Sequence, residues 1–328
     1  MTHPNFLSQN PWDKPCQPLW PLSCFSLKRN LKREPFPHRQ QATCAKNILE
    51  KISQVISQCS LIKDLVAIDL STLSPDQKDG LFAQLFLEIA DYEDRPYQAL
   101  FCNPSKTLVI TINIDNHLRL HTLDYQNQEF TAWNRLVEID NYFAKELDYA
   151  FTPRFGYLTK NILECGLGLE AKACLHLPLL SSSQKEFSLL EAGCETSEVA
   201  LIKHPYFEIV TLHNRFNLVY TEESLIQALQ EKAQAFIDKE RHLRSTLPQE
   251  QIEPLKKSIS SSYGILLHGR YLNLADRQHA LSLIKLGVDL KWIEGIHDAT
   301  INHVLLQKTS SDIEPLLKDS IKNLTLLF

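Results

Sequence analysis

The stretch that most constrains this chain is residues 146–178, ELDYAFTPRFGYLTKNILECGLGLEAKACLHLP. It leaves a helical pattern, passes through an aromatic turn, and enters a loop punctuated by Gly166 and Gly168. An apolar segment follows, read as a strand over 173–179 and closed by Pro178. Glycine supplies backbone freedom where a loop turns sharply, and proline resists continuation of regular structure. A chain with such a switch near its middle must combine helices with strands.

The flanks support that reading. TLVITINI at 107–114 is β-branched and apolar, and LRLHTL at 118–123 alternates, with the turn-like DNH between them. YFEIVTL at 206–212 reads as a further strand. Helical spacing over 41–59 puts Ile48, Ile52, Val55 and Ile56 on one face. A second helix is predicted over 75–91, with Leu81, Leu85, Phe86 and Ile89 in line, Ser74 as N-cap and Pro75 at the first position. Residues 130–148 form a third. Thr221 opens a long helix in which Glu222 and Glu223 suit the positive N-terminal end. Its stripe is Leu225, Leu229, Phe236 and Ile237.

Pro248 and the polar run QEQIEP at 249–254 mark a domain boundary. Beyond it the pattern is all-helical, with an amphipathic ADRQHALSLIKLG at 275–287 and Gly287 as its stop. The expected organisation is α+β over 1–248, beginning with an irregular Pro- and Trp-rich arm at 1–23, then a small helical domain at 249–328.

Composition narrows the function classes. A chain of 328 residues with 44% hydrophobic and 22% charged content fits a globular protein with a real core. Its net charge of −5 does not indicate nucleic-acid or membrane attraction. The basic run at 28–39 is interrupted by Glu34 and by Pro35 and Pro37. No apolar stretch reaches the ~18 residues of a membrane span, and no signal-peptide core is present at the N-terminus. Eight cysteines, at 16, 24, 44, 59, 102, 165, 174 and 194, show no metal spacing and read as reduced cytosolic thiols.

Several motifs then fall in one order. They are RNLKREPFPHR at 29–39, NIDNHLR at 113–119, FGYLT at 155–159, HLP at 176–178 and GCETSE at 193–198. SSYGILLHGRYLN at 261–273 and LIKLGVDL at 283–290 follow. Together they resemble the ATP:guanido phosphotransferases, with GCETSE similar to that family's flexible loop, and the last two resemble the bacterial protein-arginine kinases (McsB type). The resemblance implies a phosphagen-kinase-like catalytic domain, an antiparallel sheet flanked by helices, followed by a helical dimerisation domain. It also implies ATP with Mg2+ as cofactor, a cytoplasmic homodimer, arginine-containing protein substrates, a zinc-finger activator protein and Clp protease machinery.

The chemistry sharpens what to look for. A guanidinium holds its proton above a pKa of ~12 and needs carboxylates to position and polarise it beside the γ-phosphate. By position Asp115 and Glu195 take those roles, with Asp115 one methylene shorter than the family's glutamate. Asn161 stands where the family has its substrate-side cysteine, and Ile162, Leu163 and Glu164 replace its Pro-Thr-Asn. Cys165 is no evident substitute. The family holds the triphosphate with arginines. Arg119 matches one of them, whereas Cys24, Ser26, Glu170 and, by a less secure alignment, Leu190 stand at the others. Arg29 and His176 complete the candidate nucleotide side; no protein metal ligands are indicated.

Alternatives stay open at several positions. Arg29 serves either phosphate or an internal contact; His117 and His176 read as structural; Asp115 doubles as a turn residue. Arg119 either binds phosphate or pairs with Glu170. The Arg-Asp-x-x-Arg-Ala motif of the protein-arginine kinases is missing from the C-terminal DSIKNLTLLF. The leading functional reading is a homologue with little or no phosphoryl transfer and a regulatory or scaffolding role. The rivals are an active kinase with Lys160 and Lys172 as substitute charges, and a binding module for arginine or phosphoarginine side chains.

Overall fold

A computed structural model describes residues 17–88, 92–127, 131–204, 208–269, 273–296, 298–306 and 321–328. The β-branched runs form the centre of one antiparallel sheet. Strands β1 (Leu22–Arg29), β2 (Val66–Asp69), β3 (Ala99–Cys102), β4 (Leu108–Ile112) and β5 (Leu118–Asp124) come first in the chain. A short separate ribbon pairs β6 (Phe151–Thr152) with β7 (Gly156–Tyr157). Strands β8 (Leu169–His176), β9 (Val199–Lys203) and β10 (Ile209–Asn214) complete the large sheet, whose order is β2-β3-β4-β5-β1-β8-β10-β9. Strand β1 is therefore central although its residues were not anticipated as a strand. Of the expected arm, residues 1–16 lie outside the described residues, and Leu22 and Ser23 already belong to β1.

One face of the sheet is apolar. Phe25 and Leu27 of β1, Leu118 and Leu120 of β5, and Ala171 and Ala173 of β8 point to it. Helices α1 (Ala42–Gln58), α3 (Thr131–Glu146) and α6 (Glu222–Ser245) contribute to the same core. The anticipated stripe Ile48, Ile52, Val55 and Ile56 of α1 is buried there. Each such side chain contributes roughly 1.5–3 kcal/mol by leaving water. Helix α6 begins as its sequence requires: Thr221 and Ser224 exchange side-chain and backbone hydrogen bonds in a capping box.

Three expectations are corrected. Helix α2 (Pro75–Gln84) stops seven residues before 91, because Phe86 adopts a left-handed backbone (φ 52) and the chain turns to bury Leu85 and Leu87. Ile89 lies outside the described residues. The strand read over 173–179 begins earlier, at Leu169, and ends at His176; Pro178 opens the short helix α4 (Pro178–Ser182) instead. The GCETSE segment is only partly a loop, since α5 (Gln184–Glu195) runs through Gly193 to Glu195.

The C-terminal region stacks α7 (Gln249–His268), α8 (Leu274–Asp289) and α9 (Asp298–Leu306). It is not purely helical: β11 (Ile293–Glu294) pairs with β12 (Thr325–Leu326). Nor does Gly287 stop α8. It sits inside the helix because Ile293 packs over it; an added Cβ would stand 2.6 Å from the Ile293 Cδ1. Buried polar pairs join this region to the sheet. His176 of β8 meets Ser282 Oγ at 2.8 Å, and Arg244 of α6 reaches Asp289 at 3.0 Å. Glu240 is fully buried, and its carboxylate accepts from Arg244 Nε and from the Leu180 N–H at the start of α4. Among the described residues no helix is long and apolar enough to cross a membrane.

Candidate active site

The second face of the sheet carries charge at its centre, and strand alternation puts it there. Along β1, Phe25, Leu27 and Arg29 point to the helices, so Cys24, Ser26 and Lys28 point the other way. Register supplies their neighbours. Ser26 lies between His121 of β5 and Glu170 of β8, Lys28 faces Arg119, and Cys24 faces Lys172.

These side chains form a continuous ion network. Arg119, about 1% exposed, donates from Nη2 to Glu170 Oε2 at 2.9 Å and from Nε to Ser26 Oγ at 3.2 Å. The pairing of Arg119 with Glu170, one of the two options open in the sequence, is thus present. Lys28 Nζ lies 3.2 Å from Glu170, 2.8 Å from Glu164 and 3.9 Å from Asp115. Lys172 pairs with Glu170 on one side and with Glu88, at 2.8 Å, on the other. Asp115 also lies 3.8 Å from Arg119. Three cations therefore meet four carboxylates.

The charge states follow from these contacts. Burial alone would raise the Glu170 carboxyl, but Arg119, Lys172 and Lys28 outweigh it and hold it well below the usual range. Lys172, which burial would lower, is raised by Glu170 and Glu88. His121 is pushed down to about 3 by burial and by Arg119, so it is neutral. Its Nε2 faces the Leu85 carbonyl, which only accepts, so the ring proton sits there. The Ser26 hydroxyl then donates to Nδ1 at 2.6 Å.

Asp115 stands in the 113–117 turn. That turn is shaped by Asn113, whose left-handed backbone (φ 57) is tolerable for asparagine and whose amide donates to the Ala45 and Tyr97 carbonyls. His117 is structural. Its Nδ1 accepts from the Leu31 N–H at 2.8 Å, so Nε2 donates to the Pro35 carbonyl at 2.9 Å. The loop before β8 needs both its glycines. At Gly168 (φ 62) a Cβ would lie 2.6 Å from the Lys28 carbonyl oxygen, and at Gly166 (φ 113) it would lie 2.0 Å from that of Asn217.

Other expected residues stand apart. Arg29 is on the helix-packed face, where its guanidinium is held by Asp140 at 2.7 Å, donates to the Leu167 carbonyl at 2.8 Å, and lies over the Tyr157 ring. It fills an internal role because strand alternation turns it away from Ser26 and Cys24. His176 is buried against Ser282 of α8, its pKa lowered by burial. Glu195 is exposed at the end of α5 and joins no part of the network. Asn161 is exposed and caps the turn at Ile162–Glu164 through the Leu163 N–H. Leu190 packs against the main core. Cys24 is buried, and burial raises its thiol well above the ordinary value. Of the two lysines proposed as substitutes, Lys172 is in the network and Lys160 joins none of its ion pairs.

Lys28 and Glu88 were missed from sequence, and Glu164 was placed only as a replacement in the substrate-side loop. For Lys28 a signal existed: it lies two residues after Ser26 and four after Cys24, the spacing of one strand face.

The ligand that the resemblance implies is a magnesium triphosphate. Such a ligand needs cations available to its oxygens, and each of the three cations here already neutralises carboxylates of the chain itself. With four carboxylates against three cations, the network is not a site that draws polyanions. The residues present do not fit the group.

The family described as ATP:guanido phosphotransferase, C-terminal catalytic domain, matches residues 47–243. The protein-arginine kinase McsB C-terminal domain matches residues 250–323. A protein-arginine kinase from Chlamydia pneumoniae is 31% identical over 323 residues, covering 93% of this chain and 89% of that protein. One from Brevibacillus brevis is 26% identical over 314 residues, covering 91% and 87%. Among solved structures, lombricine kinase superposes with a TM-score of 0.59 at 18% identity, over 74% of this chain and 72% of that one. The substrate-free duplicated taurocyamine kinase from Schistosoma mansoni gives 0.62 at 18%, over 84% and 43%. These two likenesses concern the fold.

Proposed function

From the premise that this chain belongs to the ATP:guanido phosphotransferase family and is homologous to its protein-arginine kinases, we propose that it retains their scaffold but transfers phosphoryl groups weakly or not at all. Its role is then regulatory or scaffolding, through binding to other proteins. The observation that carries this reading is Glu170, an anion seated among Lys28, Arg119 and Lys172 on the sheet face where the family's phosphate-binding positions fall. A charge-assisted contact contributes roughly 1.5–3 kcal/mol, so cations spent on an internal carboxylate forgo several such contacts to a nucleotide.

Within this reading the domains divide at 248–249, between α6 and α7, and the helical part serves as a dimerisation surface in the cytoplasm. The partners it would meet are arginine-bearing proteins, a zinc-finger activator and Clp protease machinery. The missing partner for Asp115 speaks against a preserved guanidinium clamp, since Glu195 stands outside the network.

The test is calorimetric titration with ATP at physiological magnesium, together with radiolabelled phosphate transfer to an arginine-rich protein. Absent micromolar binding and absent label are expected. Micromolar binding with label on arginine would overturn the reading in favour of an active kinase.

A further inference from the structure

Glu170 does more than cancel charge. Its two carboxylate oxygens receive three cations from three different strands: Arg119 of β5 and Lys28 of β1 on Oε2, and Lys172 of its own strand on Oε1. Surface ion pairs rarely converge in this way, because each long side chain must be ordered to reach the shared partner. Here the cationic groups are ordered already. The side chains of Arg119, Lys28 and Lys172 are only 1%, 6% and 10% exposed, while that of Glu170 keeps 20%. Among these four side chains the anion is the one most open to solvent, and the cations form the floor beneath it.

Such a floor has the recognition chemistry of an oxyanion site: a planar guanidinium fork and two ammonium point charges aimed at one small volume. No outer carboxylate reaches all three cations: Glu164 and Glu88 each hold one lysine, at 2.8 Å. Glu88 is 66% exposed and Glu164 30% exposed, and Asp115 stays 3.8–3.9 Å from its cations.

We propose that Lys28, Arg119 and Lys172 constitute a latent phosphate-class oxyanion site, and that the Glu170 carboxylate is a tethered anion that fills it and keeps free phosphoryl groups out. The inference rests on the reading that this site does not hold a nucleotide, and it names Glu170 as the carboxylate that touches all three cations. Access opens when the Glu170 side chain is removed or loses its charge. Ser26, whose hydroxyl proton is committed to His121, presents only lone pairs to Arg119 and helps to fix its fork.

The test uses the full chain, wild type and two variants, Glu170→Gln, which keeps the shape, and Glu170→Ala, which empties it. Each is titrated with inorganic pyrophosphate and separately with ATP and magnesium, by calorimetry and by thermal melting. Wild type should show no binding at millimolar ligand. At least one folded variant should bind pyrophosphate with an affinity raised tenfold or more, and its melting temperature should climb with ligand while that of wild type stays level. Adding Lys28→Ala to the binding variant should abolish the gain. A parallel gain for ATP would show that a nucleotide can supply the phosphates; a gain for pyrophosphate alone would limit the site to free phosphate. If Glu170→Ala fails to fold, Glu170→Gln decides. Silence from every folded variant, with wild type also silent, overturns the tethered-anion inference and leaves the proposed function standing. Micromolar ATP binding by wild type overturns both.

Discussion

Arg29 and Arg119 stand on opposite faces of one sheet, and both are about 1% exposed. Arg29 is enclosed on the helix side: Asp140 takes its fork, backbone carbonyls take the other N–H groups, and Tyr157 and Tyr149 cover it. Arg119 lies on the charged face and shares its partner Glu170 with two lysines. The first arrangement has one anion for one cation, with the Tyr149 hydroxyl donating to the same Asp140 at 3.1 Å. The second has several of each. A buried arginine is therefore architectural or functional according to whether its partner can be replaced, and burial alone does not distinguish the two.

The contrast can be broken first by truncation. Arg29→Ala leaves Asp140 buried without its partner and should lower stability by about 3–5 kcal/mol. Arg119→Ala, with Lys28 and Lys172 still on Glu170, should cost about 1.5–3 kcal/mol. Urea denaturation midpoints measure both; equal losses would erase the distinction between the faces.

Acid titration probes the charged face next. His121 has a folded pKa of about 3, so it stays neutral when native but protonates below about 6.5 when unfolded. The unfolded chain binds the extra proton, so His121 contributes fully above pH 6.5 and loses its contribution as pH falls towards 3. The loss from this group should reach roughly 2 kcal/mol by pH 5. A His121→Asn variant, compared with wild type across pH 7.5 to 5, should show a flatter stability profile. Identical slopes would mean that the ring is not held neutral.

The smallest effect is expected at Asp115. Its cations are 3.8 and 3.9 Å away, and asparagine can still accept the Asn116 N–H bond that Asp115 now accepts. Asp115→Asn should change stability by less than about 1 kcal/mol in the same denaturation assay. A larger loss would make Asp115 a full member of the network.

Local signals in the sequence carried well where local physics governs. Thr221 with Glu222 and Glu223 gave the start of α6, and the 3.6-residue stripe gave α1. The charge reversal at Glu170 made its pairing with Arg119 foreseeable, because an orphaned arginine and a new carboxylate at neighbouring site positions satisfy one another. Other features depended on partners remote in the chain. Lys28 meets Glu164 across 136 residues, and His176 finds Ser282 across 106. The end of α2 and the passage of α8 through Gly287 were likewise set by packing, by the burial of Leu85 and Leu87 and by the approach of Ile293.

The family, the alternation of strand and helix, and the presence of acidic and basic residues where a phosphate cradle belongs were all legible in the residues alone. Which cation lies on which carboxylate, and that Arg29 faces the helices, came with the folded arrangement of the strands. The reason is that ion pairing depends on separation and on exclusion of water. In this protein both are set by the register of β5, β1 and β8, a relation among strands that no local pattern in the chain encodes.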